Sequence, residues 1–223
     1  MNPDLQRDLL AALERPHRLG TIGGDLEEQL AHCASFSSVL SQVLGDHIPE
    51  RGCDLGTGGG LPGVALASMW PTMQWTLVDM RTARADEVER TILRLGLHDR
   101  VDVHGIEAQF LGHDEHHREQ YDIVVARAFG PPSVTAECAA GLVRPNGVFV
   151  VSEPPESGGP GEQLTEPRWD VAGLAELGFG PAELVEENES RFAVMRKQGA
   201  TPGHIPRLPP RANRGWPASQ GNT

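Results

Sequence analysis

The residue types best suited to chemistry are concentrated in one stretch, Asp54-Leu55-Gly56-Thr57-Gly58-Gly59-Gly60-Leu61-Pro62-Gly63. It lies between a predicted strand over 51–55 and a predicted helix over 62–69. Glycines permit positive φ and let a ligand approach the backbone closely, and the start of a helix offers free amide donors. The stretch therefore predicts a ligand site at the carboxyl end of the first strand. A glycine-rich turn without a ligand is the alternative.

Two classes of ligand fit this stretch. Gly58, Gly60 and Gly63 match the G-x-G-x-x-G pattern of dinucleotide-binding loops, and Asp79 stands about where an acid that binds ribose belongs. Asp54 favours S-adenosylmethionine instead, because a carboxylate inside the turn can pair with the cationic amino end of that cofactor and would repel a pyrophosphate. Asp79 would then accept hydrogen bonds from the ribose hydroxyls; its alternative role is the N-cap of the following helix.

From residue 51 onward, predicted strands and helices alternate, which indicates an α/β fold with a parallel sheet covered by helices on both faces. The strands are predicted at 51–55, 75–79, 100–104, 121–126 and 147–153. The helices are predicted at 62–69, 84–95, 133–143 and 171–177. The segments 182–185 and 191–195 flank a short polar turn, so they predict an antiparallel hairpin that closes the sheet. Such a hairpin suits a methyltransferase better than a dehydrogenase.

The regions on either side of this alternation are different. Apolar residues at helical spacing predict one helix over 4–14, a turn from Pro16, and a second helix that opens at Gly24 or Asp25 and runs to about Leu44. We therefore divide the chain into three parts. These are a helical N-terminal cap (1–48), a cofactor-binding domain (49–197) and an irregular tail rich in proline (198–223).

The charge of the chain is unevenly distributed. The net charge is −12, yet residues 197–223 carry four basic and no acidic residues, which leaves −16 on residues 1–196. The acidic body argues against non-specific binding of nucleic acid. The tail could nevertheless contact RNA or form a disordered extension; its candidate contacts are Arg207, Arg211, Arg214 and Trp216.

Other features exclude several classes of protein. No apolar run approaches the roughly 20 residues that span a bilayer, and the first residues show no signal-peptide pattern. The three cysteines are far apart and are interpreted as reduced core residues. We therefore expect a cytoplasmic protein that does not bind membranes. The run His113-Asp114-Glu115-His116-His117 has metal-ligand residue types, but solvated charge is favoured, so no metal is expected.

Three motifs together carry a family resemblance. The glycine-rich stretch, then Leu77-Val78-Asp79, then Val125-Ala126-Arg127-Ala128 resemble the 16S ribosomal RNA guanine-N7 methyltransferase family, also called the glucose-inhibited division protein B family. The Leu-Pro-Gly ending of the glycine loop is the most specific part. The resemblance covers roughly residues 18–153. It implies a class I methyltransferase fold, with a Rossmann-like sheet that is mostly parallel, and S-adenosylmethionine-dependent methylation of a guanine N7 in the small ribosomal subunit.

The resemblance also implies roles for individual residues. For the methionine part of the cofactor it implies Asp54, Gly56, Thr57, Gly58, Gly60 and Leu61; for the ribose, Asp79; and for the adenine, Ile106, Glu107 and Ala108. Arg127 would border both the methyl group and the target base, as the catalytic residue. A guanidinium can donate to the acceptor edge of guanine or stack on its ring; a structural ion pair is the alternative. Guanine N7 carries a lone pair and no proton, so no general base is expected.

The chain departs from the family pattern in three places. His32 is followed by Cys33-Ala34-Ser35, where the family has an acidic residue. Ile106-Glu107-Ala108 lacks the arginine of the family's Arg-Ala-Glu. Finally, 203–207 is all that corresponds to the family's lysine-rich ending. These departures keep two alternatives open: a diverged methyltransferase with another small-molecule or RNA acceptor, and a non-catalytic protein that binds the cofactor.

Overall fold

Seven strands form one sheet in the computed structural model, which describes residues 1–154, 168–209 and 215–217. They are β1 Arg51–Leu55, β2 Gln74–Val78, β3 Val101–His104, β4 Tyr121–Ala126, β5 Val143–Glu153, β6 Glu183–Glu187 and β7 Ser190–Arg196. Their order across the sheet is β3-β2-β1-β4-β5-β7-β6. The pairs from β3 to β5 are parallel, whereas β7 is antiparallel to both β5 and β6. The predicted fold class is confirmed, including the antiparallel hairpin.

Helices cover both faces of the sheet. They are α1 Pro3–Arg18, α2 Leu26–Leu44, α3 Gly63–Met69, α4 Thr82–Leu95, α5 Ala108–Leu111, α6 Pro132–Ala140 and α7 Val171–Glu176. One apolar cluster joins α1, α2, α3 and α4 to one face, and a second joins α6, α7 and Ile205 to the other. The two N-terminal helices thus share a core with the sheet, and the division into three parts stays a prediction.

Local signals account for most of the element ends. Asp25 caps α2, because its Oδ1 accepts the backbone N–H groups of Glu27 and Glu28. Gly96 ends α4 in the left-handed conformation that a glycine adopts without strain. All six residues of β4 are buried, as expected for a central strand of a covered parallel sheet.

Most boundaries agree with the prediction to within two residues, and three differ by more. The first helix continues to Arg18 instead of ending before Pro16, because Pro16 extends the buried face of that helix. The helix predicted over 133–143 ends at Ala140, and β5 begins at Val143 rather than at residue 147. The early start of β5 coincides with an irregular register between β4 and β5. The short helix α5 was not predicted, since a single turn leaves no periodic signal.

The tail is only partly described, and its described part is packed against the body of the protein. The Lys197 side chain is fully buried, and Ile205 belongs to the core on the side of α6 and α7. Arg211 and Arg214, two of the candidate RNA contacts, lie outside the described residues. In the parts of the chain described, no helix is both long enough and apolar enough to span a bilayer.

Candidate functional site

The glycine loop between β1 and α3 is held against the end of β2. The backbone N–H groups of Gly56 and Thr57 both donate to the carbonyl oxygen of Val78, at 2.8 and 2.9 Å. Gly58 has a backbone φ of 57°, a value that residues with a side chain rarely adopt. Gly63 has no room for a side chain, since a Cβ there would lie 2.6 Å from Asp54 Oδ2. The loop therefore depends on glycine for its conformation at one position and for close packing at another.

The Asp54 carboxylate is fully buried beneath this loop. Its Oδ2 accepts the Gly63 N–H at 2.8 Å, so one oxygen fastens the end of the loop to the start of α3. Burial raises the pKa of Asp54 to about 6; the Thr57 hydroxyl, the Gly63 N–H and the Arg127 charge partly offset this rise. Neither Asp54 Oδ1 nor Thr57 Oγ1 has a hydrogen-bond partner of good geometry in the described chain. Two buried polar atoms are thus left for a ligand or a rearranged loop.

Asp79 links the glycine loop to the turn before α4. Its Oδ2 accepts the Gly58 N–H at 3.0 Å, and its Oδ1 accepts the Arg81 N–H at 2.8 Å. The alternative role as N-cap of the following helix is not observed, because α4 has Arg81 at its N-cap position. Each oxygen of Asp79 keeps a second lone pair. The carboxylate can therefore hold the loop and still accept a hydroxyl.

A cavity of 480 Å³, called here the small cavity, opens beside Asp79. Among the residues that line it are Gly56, Asp79, Met80, Arg84, Ile106, Glu107, Ala108, Phe129 and Pro209. Five of these were predicted from sequence, and they come from three separate connections of the sheet. Met80, Arg84, Phe129 and Pro209 were missed. Met80 had a usable signal in the sequence, since it is an apolar residue directly after the acid predicted to bind ribose; its side chain is 67% exposed.

A second cavity of 1080 Å³, called here the large cavity, lies on the other side of the loop after β4. Arg127 lines it together with His32 of α2, Trp169 and the β6–β7 turn. Within the described residues Arg127 makes no ion pair and no hydrogen bond. The structural ion pair considered as its alternative role is therefore not observed there.

The loop after β4 separates the two cavities. Ala128, Phe129 and Gly130 line both of them. Ala128 has a φ of 52°, which is strained for a residue with a Cβ. The Phe129 ring lies over Gly56, so that a Cβ at Gly56 would come within 2.6 Å of Phe129 Cδ2. A strained turn thus places one aromatic ring between the glycine loop and the large cavity.

Other predicted residues lie away from either cavity. Leu61 is buried in the core. Of the predicted residues, Asp54, Thr57, Gly58, Gly60 and Leu61 line neither of the two cavities. His113 and the residues that follow it form no cluster of three or more potential metal ligands in the described chain. The cofactor roles of the glycine loop, Asp79 and Arg127 stay predictions, although Gly56 and Asp79 share one cavity and Arg127 lines the adjoining one.

Residues 25–153 match the family model described as rRNA small subunit methyltransferase G. The chain belongs to this family. The ribosomal RNA small subunit methyltransferase G of Alkaliphilus metalliredigens is 33% identical over 152 residues, which cover 67% of this chain and 62% of that protein. Its counterpart in Deinococcus radiodurans is 35% identical over 178 residues, covering 77% and 68%. The chain thus spans about two thirds of these relatives.

Solved structures that resemble this member of the rRNA small subunit methyltransferase G family share only its fold. The O-methyltransferase from Bacillus cereus in complex with SAH has a TM-score of 0.60 at 17% identity, covering 86% of this chain and 91% of that one. A structure of MtNAS in complex with MTA and tNA has a TM-score of 0.58 at 16% identity, covering 88% and 71%.

The departures from the family pattern fall in different surroundings. Cys33 is fully buried in the core, whereas its neighbour His32 lines the large cavity. Arg207 is fastened to the buried Glu137 of α6, with Arg207 Nη2 2.6 Å from Glu137 Oε2. Of the residues named as candidate RNA contacts, Arg207 is therefore paired within the protein, and Trp216 packs near Trp169.

Proposed function

We propose that this chain is an S-adenosylmethionine-dependent methyltransferase that modifies a guanine N7 in 16S rRNA of the small ribosomal subunit. The observation that carries the proposal is the pair of cavities separated only by the loop after β4. One holds an acid and apolar walls suited to an adenosine, and the other holds an unpaired arginine. A cytoplasmic location follows from the proposed substrate.

The small cavity and the glycine loop fit the cofactor in chemistry. The ribose hydroxyls would be held by Asp79, and the adenine ring would lie between Met80 and Ile106, which are both exposed for apolar residues. The buried Asp54 Oδ1 and Thr57 Oγ1 supply polar atoms for the amino-acid end. When bound, the cofactor supplies an electrophilic methyl group. The chain would orient that group towards the loop that carries Arg127.

A dinucleotide fits less well. In dinucleotide-binding loops the pyrophosphate lies at the start of the helix, where free N–H groups and the helix dipole favour negative charge. Here the Gly63 N–H at that position already donates to the Asp54 carboxylate. A second anion would meet a buried carboxylate and lose an amide donor, so a dehydrogenase is disfavoured.

Arg127 is the residue proposed to act on the acceptor. Its guanidinium can donate to an acceptor edge of guanine or stack on the base. Methylation of N7 releases no proton from that atom, so alignment is sufficient and no general base is needed. The absence of a His–Asp or Cys–His pair from the loop after β4 agrees with this chemistry.

A second candidate is a methyltransferase with a different acceptor. Three carboxylates that line the large cavity favour it, those of Glu28, Glu153 and Glu189. Such a lining suits a small polar or cationic acceptor better than a polyphosphate chain.

The test is methyl transfer from labelled S-adenosylmethionine to small ribosomal subunits that lack the modification of the family, with mapping of the product. We expect label at a single guanine N7. Label absent from rRNA, in a preparation that binds S-adenosylhomocysteine by calorimetry, would contradict the RNA substrate and favour the second candidate. Cofactor binding without turnover on any acceptor would indicate a non-catalytic protein.

A further inference from the structure

We propose that His32 selects guanine in the large cavity by donating a hydrogen bond from its Nε2 to O6 of the base. The inference rests on the proposed function and names a recognition residue for it. His32 lies in α2, far along the chain from the glycine loop, yet it lines the same cavity as Arg127.

The His32 ring is held by contacts on several sides. Its Nδ1 lies 2.8 Å from Ser190 Oγ, at the start of β7. The ring stacks on Phe192, with centroids 5.4 Å apart and planes 22° from parallel, and meets the edge of Phe36 at the same distance. An aromatic stack and a hydrogen bond on one nitrogen together fix the direction of the other nitrogen.

That other nitrogen has no partner. His32 Nε2 is buried and makes no hydrogen bond within the described chain. Leaving such a group unsatisfied costs about 1–3 kcal/mol, a penalty that a ligand in the adjoining cavity would remove. A histidine needed only for packing could be replaced by a phenylalanine without this cost.

The surroundings keep His32 neutral. Burial, and then the nearby charge of Arg127, lower the pKa of His32 to about 4. A neutral imidazole donates from only one nitrogen. If the Ser190 hydroxyl donates to Nδ1, then Nε2 carries the hydrogen and is the donor. A neutral ring also adds no charge repulsion against the cationic N7-methylguanine that forms.

Arg127 and His32, two hydrogen-bond donors that line the large cavity, favour guanine over adenine. The Hoogsteen edge of guanine presents two acceptors, N7 and O6, whereas adenine presents an amino donor at the corresponding position. With Arg127 and His32 both donating, O6 can be bound while the N7 lone pair stays free. The carboxylates of Glu28 and Glu189, in the same cavity, can accept from N1–H and the 2-amino group. The cavity therefore matches guanine on both edges.

The inference is tested by nucleotide binding to the full chain saturated with S-adenosylhomocysteine. Three 5′-monophosphates are compared by calorimetry. They are GMP, IMP, which keeps O6 and N1–H and lacks the 2-amino group, and the 2,6-diaminopurine nucleotide, which replaces O6 by an amino group and N1–H by an unprotonated nitrogen. We expect GMP and IMP to bind at least roughly tenfold more tightly than the diaminopurine nucleotide, since the latter loses the acceptor for His32 and the N1–H donor.

Variants separate recognition from packing. His32→Phe keeps the stack on Phe192 and loses Nε2, so it should weaken GMP and IMP roughly tenfold, as loss of one neutral hydrogen bond implies, and leave the affinity for the diaminopurine nucleotide unchanged. His32→Gln keeps a donor and should restore part of the preference. His98→Phe, the same change at an exposed surface position, should leave all three affinities unchanged. Unchanged affinity for S-adenosylhomocysteine shows that each variant is folded.

Several outcomes would overturn the inference. Equal binding of the three nucleotides by the unaltered chain would do so, as would binding of none of them. A preference for the diaminopurine nucleotide would mean that Nε2 is an acceptor. Because these are binding measurements, they are distinct from the proposed function, which fails if the unaltered chain binds the cofactor and transfers no methyl group to rRNA.

Discussion

At the start of the C-terminal segment the Lys197 ammonium is fully buried and lies within hydrogen-bond distance of four oxygen atoms, those of Ala140, Val143, Thr201 and Glu119. At the glycine loop the Asp54 carboxylate is equally buried, but one of its oxygens has no partner. Burial is costly for both groups. For Lys197 the protein's own oxygen atoms offset that cost. For Asp54 the described residues offset only part of it, and a bound ligand could offset the rest.

This difference separates structural charge from functional charge. Lys197 holds the beginning of the tail against β5 and α6, and Glu119 both accepts from Lys197 and caps the Thr201 N–H at 2.7 Å. Around the large cavity and the glycine loop, by contrast, the unpartnered atoms belong to Asp54, Thr57 and His32. A group whose hydrogen bonds are complete needs no ligand. Groups whose hydrogen bonds are incomplete, at the glycine loop and beside the large cavity, are the ones to test for binding.

The largest effect is expected at the structural charge. Lys197→Met removes the ammonium and leaves the Glu119 carboxylate without its cation, so the free energy of unfolding should fall by about 3 kcal/mol. Urea unfolding measures this loss. The double variant Lys197→Met/Glu119→Gln should recover part of it, because the uncompensated charge is gone. An unchanged unfolding midpoint for Lys197→Met would contradict the structural role, as would a specific loss of S-adenosylhomocysteine affinity in the folded variant.

Asp54→Ala is expected to act on binding. It removes the carboxylate that fastens Gly63 and the oxygen left for the cofactor, and we expect affinity for S-adenosylhomocysteine to fall at least roughly 100-fold, as loss of a charge-assisted hydrogen bond and of the loop anchor implies. Calorimetry measures it, with Asp102→Ala as a control at an exposed strand position. An affinity that stays within a factor of two would remove Asp54 from the site.

Asp54→Asn is expected to change how the free energy of unfolding depends on pH. The pKa of Asp54 rises on folding from 3.8 to about 6, so the folded state binds more protons between these values and stability falls as pH rises through that window. Asparagine keeps an acceptor for the Gly63 N–H and does not titrate. The variant should therefore gain up to about 3 kcal/mol over the unaltered chain at pH 7 and nothing near pH 3.

Paired unfolding curves at pH 3, 5 and 7 check this prediction. A difference in unfolding free energy between the two proteins that is the same at every pH would show that burial does not raise the pKa of Asp54. Weaker cofactor binding in the same variant would show that the protein tolerates a destabilising charge because the ligand needs it.

The sequence was sufficient for the elements that carry strong local signals. The strand–helix alternation, the glycine loop, Asp79 and the hairpin could all be predicted, because apolar periodicity and turn residues act over a few neighbours. His32 and Pro209 could not be assigned to a cavity, since α2 and the tail reach the site only through tertiary packing. The ion pair of Arg207 could not be predicted for the same reason, because its partner Glu137 is a buried acid in a helix that carries no other charge.

The smallest effect is expected at Ser190, whose hydroxyl is proposed to act through the His32 ring. Ser190→Ala removes the hydrogen bond to His32 Nδ1 and with it the bias of the ring towards donating from Nε2. We expect the preference for GMP over the diaminopurine nucleotide to fall from roughly tenfold to roughly twofold or threefold, since the hydrogen bond that orients the ring is worth about 1 kcal/mol. The His32 ring nitrogens, followed by NMR in the isotope-labelled protein, should then show a mixture of the two neutral tautomers. If the alanine variant keeps one tautomer and the full preference, Phe36 and Phe192 alone orient the ring, and Ser190 has no part in recognition.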